Sequence, residues 1–316
     1  MDIYFDTMVI SRLRNGSKYI DINNYIINNR DINTFFYSKA HIFDLMNDKT
    51  NEKYLDLEYI EKYFGNNYLL KSFNQPTKIY QIQPLEAYKE EIMDDNDPLN
   101  NLDNIFDESI LKPYNALLDF PIDIPNKYKI DFNSEDLPYF FKIYLNNLFK
   151  STSLRELINV QNEFQKNMNE NKEIYRYIRK VTKNNQNIVL IDNYKNYNLF
   201  EDKIFINNDI KMTFIEYIDS CITINLDNEE EKYYHRFCTG YNILNSIGID
   251  SEKNKKSNFK NTFNDGLHAF YASYCELFVT SDLGIIEKSQ IMYKLFNIKT
   301  KVINPECFIK FMGKKD

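Results

Sequence analysis

Four aspartates hold the positions from which a reaction centre is most easily built. Asp6 closes the apolar segment Met1-Asp2-Ile3-Tyr4-Phe5, and Asp282 follows Leu277-Phe278-Val279-Thr280 across a single serine. Asp44 lies within an amphipathic stretch that begins at Ser38, and Asp265 stands at the start of another. Carboxylates gathered in one pocket repel each other, and a hard cation such as Mg²⁺ or Mn²⁺ relieves that repulsion. Such a cation lowers the pKa of a bound water and polarises a phosphoryl oxygen, which is what phosphodiester hydrolysis needs. Taken singly, an Asp at a strand end or helix start is more often an N-cap. The four therefore have to be weighed as a set.

The elements that must position them are legible at both ends of the chain. Met1 to Phe5 reads as a buried strand. Asn33 to Tyr37 reads as a second strand running into Ser38, an N-cap for a helix through Met46. Lys53 to Phe64 is amphipathic and stops at Gly65. Near the C-terminus the pattern predicts a helix from about Asn264 to Tyr274, a strand over 277–280, a helix from Asp282 to Phe296 and a strand over 301–303 before Pro305. Strands alternating with helices imply an α/β fold with a parallel sheet. Ligands bind beyond the carboxyl ends of such strands, where Asp6 and Asp282 fall.

Between these ends the chain reads as mainly helical. Ser153-Leu154-Arg155-Glu156 and Thr213-Phe214-Ile215-Glu216 are capping boxes. The helix that the first one opens carries Leu154, Leu157, Ile158, Phe164, Met168, Tyr175, Ile178 and Val181 at helical spacing. Glu229 to Ile247 is a further helix, stopped at Gly248. The expected organisation is a discontinuous core, residues 1–64 and 229–316, interrupted by a helical insertion over 65–228, which is too long to be a loop. The insertion leaves after the helix bearing Asp44 and returns before the one bearing Asp265, so it is expected to flank the pocket and select the substrate. Arg176, Arg179, Lys180 and Lys183 within it, and Lys255 and Lys256 just ahead of Asp265, are candidate phosphate contacts. Their bland alternative is a solvated, dipole-complementing surface.

Composition narrows the function classes. Lys and Arg number 39 against 46 Asp and Glu, a net charge of −7, so no overall basic field coats nucleic acid. No apolar run approaches a membrane span, and the N-terminus lacks the pattern of a signal peptide, which points to a cytoplasmic protein with no membrane partner. The four cysteines form no metal-ligand spacing and are expected to be buried thiols. Neither a Walker-type loop nor a Ser or Cys nucleophile motif is present.

At these residues the chain resembles the PIN (PilT N-terminus) domain nucleases. Ile3-Tyr4-Phe5-Asp6-Thr7-Met8-Val9-Ile10 is similar to their opening strand motif, and Ser38-Lys39-Ala40-His41-Ile42-Phe43-Asp44-Leu45 to their second. Asn264-Asp265-Gly266-Leu267-His268-Ala269-Phe270-Tyr271-Ala272 resembles the third, and Phe278-Val279-Thr280-Ser281-Asp282 the fourth. The motifs occur in the family's order and cover about half of the chain. Two features depart from the family: Asp44 stands where Glu is common, and the insertion is far longer than in a minimal member. The resemblance implies a PIN-like fold and a Mg²⁺- or Mn²⁺-dependent endonuclease acting on RNA, with structure-specific DNA as the other substrate class. A toxin, a defence nuclease or an RNA-processing factor would each fit, with an inhibitor or other protein as a further partner. It also implies Asp6 and Asp282 as direct metal ligands, with Asp265 and Asp44 completing the shell or orienting water. Thr280 and Ser281 are candidates to contact phosphate or brace Asp282, and His268 shares a helix face with Asp265. Their alternatives are a strand-end hydroxyl satisfying backbone and a packing histidine. Of the rival readings, a phosphatase of the haloacid-dehalogenase type wants an Asp where Met8 stands, and a PIN-like scaffold without activity would bind protein or RNA through its insertion.

Overall fold

The computed structural model describes residues 1–16, 18–72, 74–95, 139–174, 176–177, 198–203, 205–207, 210–222, 228–246, 249 and 259–313. They belong to two compact units, one of Met1–Ile92, Arg179–Lys255 and Asn261–Asp316, the other of Met93–Ile178 and Lys256–Lys260.

In the first unit, alternation along the strands builds a sheet with two buried faces. Ile3 and Phe5 of β1 (Asp2–Phe5), Phe35 and Tyr37 of β2 (Thr34–Ser38), and Leu277 and Val279 of β7 (Leu277–Val279) enter one apolar cluster. Tyr4, Phe36 and Phe278, between them, enter the other. This is the period-two pattern of a strand covered on both sides. With β3 (Asn67–Leu70), β4 (Lys78–Gln81) and β8 (Lys301–Ile303), the six strands run in the order β4-β3-β2-β1-β7-β8.

The first face is covered by α1 (Thr7–Arg14), α2 (Ile20–Asn29), α4 (Glu52–Phe64) and α12 (Pro305–Met312), through residues such as Ile10, Ile26, Ile60 and Phe308. The second face is covered by α9 (Glu229–Ser246), α10 (Phe259–Ala272) and α11 (Leu283–Leu295), through Phe237, Phe270 and Met292 among others. Burying one such side chain contributes roughly 1.5–3 kcal/mol. The end of β3 is tied to α9 by a buried ion pair, Lys71 Nζ to Glu231 Oε1 at 2.6 Å.

The remaining elements are α3 (Lys39–Asn47), α5 (Pro84–Asp95), α6 (Tyr139–Lys150), α7 (Leu154–Glu170), the hairpin of β5 (Phe205–Asn207) and β6 (Ile210–Met212), and α8 (Phe214–Cys221). In the second unit α6 and α7 pack through aromatic rings, with Tyr144 stacked on Phe164 at 3.7 Å between centroids. Both capping boxes start helices: Ser153 accepts from Glu156 N, and Thr213 exchanges two bonds with Glu216. Among the described residues, no helix is long and apolar enough to cross a membrane.

The fold is α/β, but its sheet is mixed, not parallel. β4 runs antiparallel to β3, joined by a turn in which Asn74 adopts φ 53°. Asn tolerates that left-handed conformation better than most residues. Two strands of the sheet thus come from residues that the sequence pattern assigned to the helical insertion. The long helix from Ser153 ends early, at Glu170, because the Asn171 side chain accepts from the backbone N–H groups of Glu173 and Ile174 and offers the chain a turn instead. Tyr175, Ile178 and Val181 lie outside the described residues. Of the four thiols, all free, Cys238 and Cys275 are buried while Cys221 and Cys307 are exposed, contrary to the expectation that all four are buried.

Candidate active site

The strand order reverses direction at β1: the chain builds β2, β3 and β4 to one side of it and β7 and β8 to the other. The carboxyl ends of β1 and β7 therefore flank the crevice where open α/β sheets bind ligands. Asp6 leaves β1 and caps α1, its Oδ1 accepting from Val9 N at 2.8 Å. Asp282 leaves the β7 end and caps α11, its Oδ1 accepting from Ile285 N at 2.9 Å. Both aspartates are N-caps, and each cap bond engages one carboxylate oxygen. Thr280, fully buried, lies beside both: its hydroxyl accepts from Asp282 N at 3.2 Å and works to lower the Asp6 carboxyl.

Asp265 is different. Helix α10 begins at Phe259, upstream of the expected start. Asp265 sits inside that helix and cannot be an N-cap. Gly266 beside it faces Tyr241 of α9, where an added Cβ would stand 3.1 Å from the ring. It thus lets α9 and α10 approach each other closely. Asp265 is half-buried and makes no hydrogen bond among the described residues. Burial pushes its carboxyl up to about 7, with Asp282 and Asp44 adding to the effect against the buried Lys288 and His268. A carboxylate so surrounded strongly favours a neutralising partner.

Asp44 projects from α3, whose N-terminus Ser38 caps by accepting from Ala40 N. Both of its oxygens are engaged. Asn264 Nδ2 donates to Oδ1, and His268 Nε2 donates to Oδ2 at 3.0 Å. Burial works to raise Asp44, yet His268, by hydrogen bond and by charge, together with Thr7 and Asn264, holds it below the usual carboxylate range. Burial likewise opposes the imidazolium of His268, but the hydrogen bond and charge of Asp44, with the charges of Asp6 and Asp265, carry its pKa above the ordinary value. Asp6 itself is raised, by burial first, with Thr280, Val9 and His268 offsetting part of it. The four sequence-predicted acids are thus brought within electrostatic reach of one another, with His268 among them.

Behind His268 lies a buried polar network. Tyr4 Oη is 2.8 Å from His268 Nδ1 and 2.7 Å from Ser38 Oγ. His41 Nδ1 accepts from Ser38 N at 3.0 Å, so its Nε2–H donates to Phe5 O at 2.7 Å, which fixes a neutral tautomer. Burial, with the nearby His268 charge, lowers the His41 pKa to about 3.

The sequence pattern did not single out Tyr4, Thr7, Asn264, Lys288 or Arg12 as site residues. Lys288 carries the clearest signal, a lysine on the helix face of the apolar Ile285 and Met292; it is 2% exposed and lies 5.1 Å over the Tyr241 ring. Ser281 is half-buried and accepts from Arg12 Nη1 at 2.9 Å. Of the expected phosphate contacts, Arg176 is exposed in the second unit, while Arg179, Lys180, Lys183, Lys255 and Lys256 lie outside the described residues.

Whether these residues suit a metal can be judged from their donors. Among the described residues, no three acidic, His or Cys side chains are close enough to cage an ion directly. The available donors are nonetheless all hard oxygens: both of Asp265 and one each of Asp6 and Asp282. Beside Asp44, the buried Oδ1 of Asn264 has no donor, and the amide cannot be turned round because its Nδ2 also serves Ala40 O at 3.0 Å. A hydrated divalent cation, which keeps several waters of its own, fits this set. Compared with protein-family models, curated proteins and solved structures, the chain matches none.

Proposed function

We propose that this chain is a PIN-like, metal-dependent nuclease that hydrolyses phosphodiester bonds, with RNA as its substrate. The observation that carries the proposal is Asp265, a carboxylate that makes no hydrogen bond among the described residues and that burial first, then the charges of Asp282 and Asp44, push up to about 7. N-capping accounts for Asp6 and Asp282 individually, whereas Asp265 caps no helix.

Asp265, Asp6 and Asp282 would hold Mg²⁺ or Mn²⁺. When bound, the ion supplies a water of lowered pKa and neutralises charge on the phosphoryl group. Asp44, with both oxygens engaged, is a positioning residue in this reading, not a direct ligand. It fixes His268 with Nε2–H toward the pocket, and Tyr4 steadies the ring from behind. Thr280, accepting from Asp282 N, holds the start of α11 beside Asp6. Incubation of the purified protein with mixed cellular RNA and Mn²⁺ or Mg²⁺, with mapping of the cut ends, tests the proposal. Metal-dependent cuts abolished by EDTA are expected, and intact RNA under both metals would overturn it.

A further inference from the structure

We propose that Arg12 and Ser281 form the phosphate-binding edge of this site, gripping a backbone phosphate of the bound strand. The inference rests on the nuclease reading and names where the substrate is held. Arg12 is half-buried on α1, and its Nη1 donates to Ser281 Oγ at 2.9 Å and to Tyr19 Oη at 3.4 Å. Those two hydroxyls are its only hydrogen-bond partners among the described residues, and it forms no ion pair there. Two other arginines of the chain are paired with acids. Arg14, two positions on, binds Asp56 at 2.6 Å and Glu52 at 2.5 Å, and Arg236 binds both oxygens of Asp219. The acid nearest along the network, Glu306, is one hydroxyl further away and is already shared by Tyr19 and Lys18 at 3.3 Å each.

Arg12 is therefore held next to the acidic crevice without being neutralised by it. Ser281 sits between Thr280, whose hydroxyl accepts from Asp282 N, and Asp282 itself, so the guanidinium lies one side chain from the proposed catalytic corner. Nε and Nη2 keep their N–H groups for an oxyanion, in the planar fork that suits phosphate. The Ser281 hydroxyl hydrogen has only a thioether, Met8 Sδ at 3.4 Å, as acceptor and can turn to the same anion. Met8 and Leu283, 49% and 57% exposed, flank this edge and offer apolar surface to a base or sugar.

The test is steady-state cleavage of a short single-stranded RNA of mixed sequence with Mn²⁺, across a range of salt. Arg12→Gln should raise KM about tenfold with kcat within about twofold, as for loss of a charged hydrogen bond. It should also reduce the slope of log kcat/KM against log salt by about 0.7, the increment for one single-strand phosphate contact. Arg12→Lys should keep the slope but not the KM, since it retains charge and loses the fork. This variant also serves if Arg12→Gln melts below the assay temperature. A folded Arg12→Gln with wild-type KM and slope would overturn the inference and leave the nuclease reading standing, as would a loss confined to kcat. A wild-type protein that cuts neither RNA nor DNA with either metal would remove both.

Discussion

Replacing Asp265 by Asn should stabilise the metal-free protein, and only above mildly acid pH. The native carboxyl titrates near 7 against an ordinary 3.8. Between those values the folded state holds a proton that the unfolded state has released, so stability falls as pH rises through the window and stays low above it. A rise of this size corresponds to at most roughly 4 kcal/mol, at about 1.36 kcal/mol per pH unit. Asp265 is only half-buried, and solvent screening reduces the expected gain to about 2 kcal/mol. His268 titrates with the same sign: its pKa is raised, so its contribution is full below about 6.5 and lost as pH rises through the native value. The measurement is therefore the difference between variant and wild type, taken by urea unfolding in EDTA at pH 4 and pH 8. Near-equality at pH 4 and a gain of about 2 kcal/mol at pH 8 are expected. Added Mn²⁺ should then stabilise the wild type more than the variant. A difference independent of pH, or a variant less stable at pH 8, would refute the electrostatic account of Asp265.

Asp6→Asn and Asp282→Asn should each abolish metal-dependent RNA cleavage with circular dichroism and melting temperature unchanged or raised, because Asn caps a helix about as well as Asp; full activity in both would exclude them as ligands. Glu231→Gln should cost about 3 kcal/mol in chemical denaturation, since it leaves Lys71 buried without its counter-ion, and a loss below about 1 kcal/mol would mean that water reaches the pair. His41 should show one neutral Nε2–H tautomer by nitrogen NMR from pH 5 to 8, and a titration in that range would contradict its bonds to Ser38 and Phe5. Because its native pKa is lowered to about 3, it withdraws stability as pH falls below its ordinary 6.5.

The parts of this fold that could be read from sequence are those in which one residue type has one structural consequence. Alternation in Ile3-Tyr4-Phe5 and Phe35-Phe36-Tyr37 specifies strands buried on both faces, and Ser38 and Thr213 mark helix starts. The β3–β4 hairpin was hidden because β4 is exposed and short, with little apolar pattern, and its turn depends on the φ of a single Asn. The start of α10 was misplaced because Phe259 to Phe263 sits next to a polar stretch, and local propensity does not show where tertiary packing carries a helix on. In the site, the aspartates were legible by position. Their partners were not: Asn264 and Tyr4 acquire meaning only when α3, α10 and β1 converge, across more than two hundred residues of chain.

That convergence bears on how four neighbouring aspartates are tolerated at one edge of the sheet. Four aspartates drawn together would ordinarily push the helices that carry them apart. Here two buried cations share the load. His268 neutralises Asp44 at 3.0 Å, and Lys288, anchored to Asn245 Oδ1 at 3.3 Å, offsets the field at Asp265. Asp6 and Asp282 are further relieved by the N-termini of the helices they cap. Of the four, only Asp265 has neither a hydrogen bond nor a helix terminus among the described residues, so the repulsion within the cluster falls most on it. Protonation of Asp265 and arrival of a cation are then alternative ways of relieving the same repulsion. Metal affinity in this protein should accordingly weaken as pH falls through about 7 and the Asp265 proton competes with the ion. Replacing Asp265 by Asn should remove most of that pH dependence along with most of the affinity. An affinity for Mn²⁺ that does not change between pH 6 and pH 8 in the wild type would place the ion elsewhere.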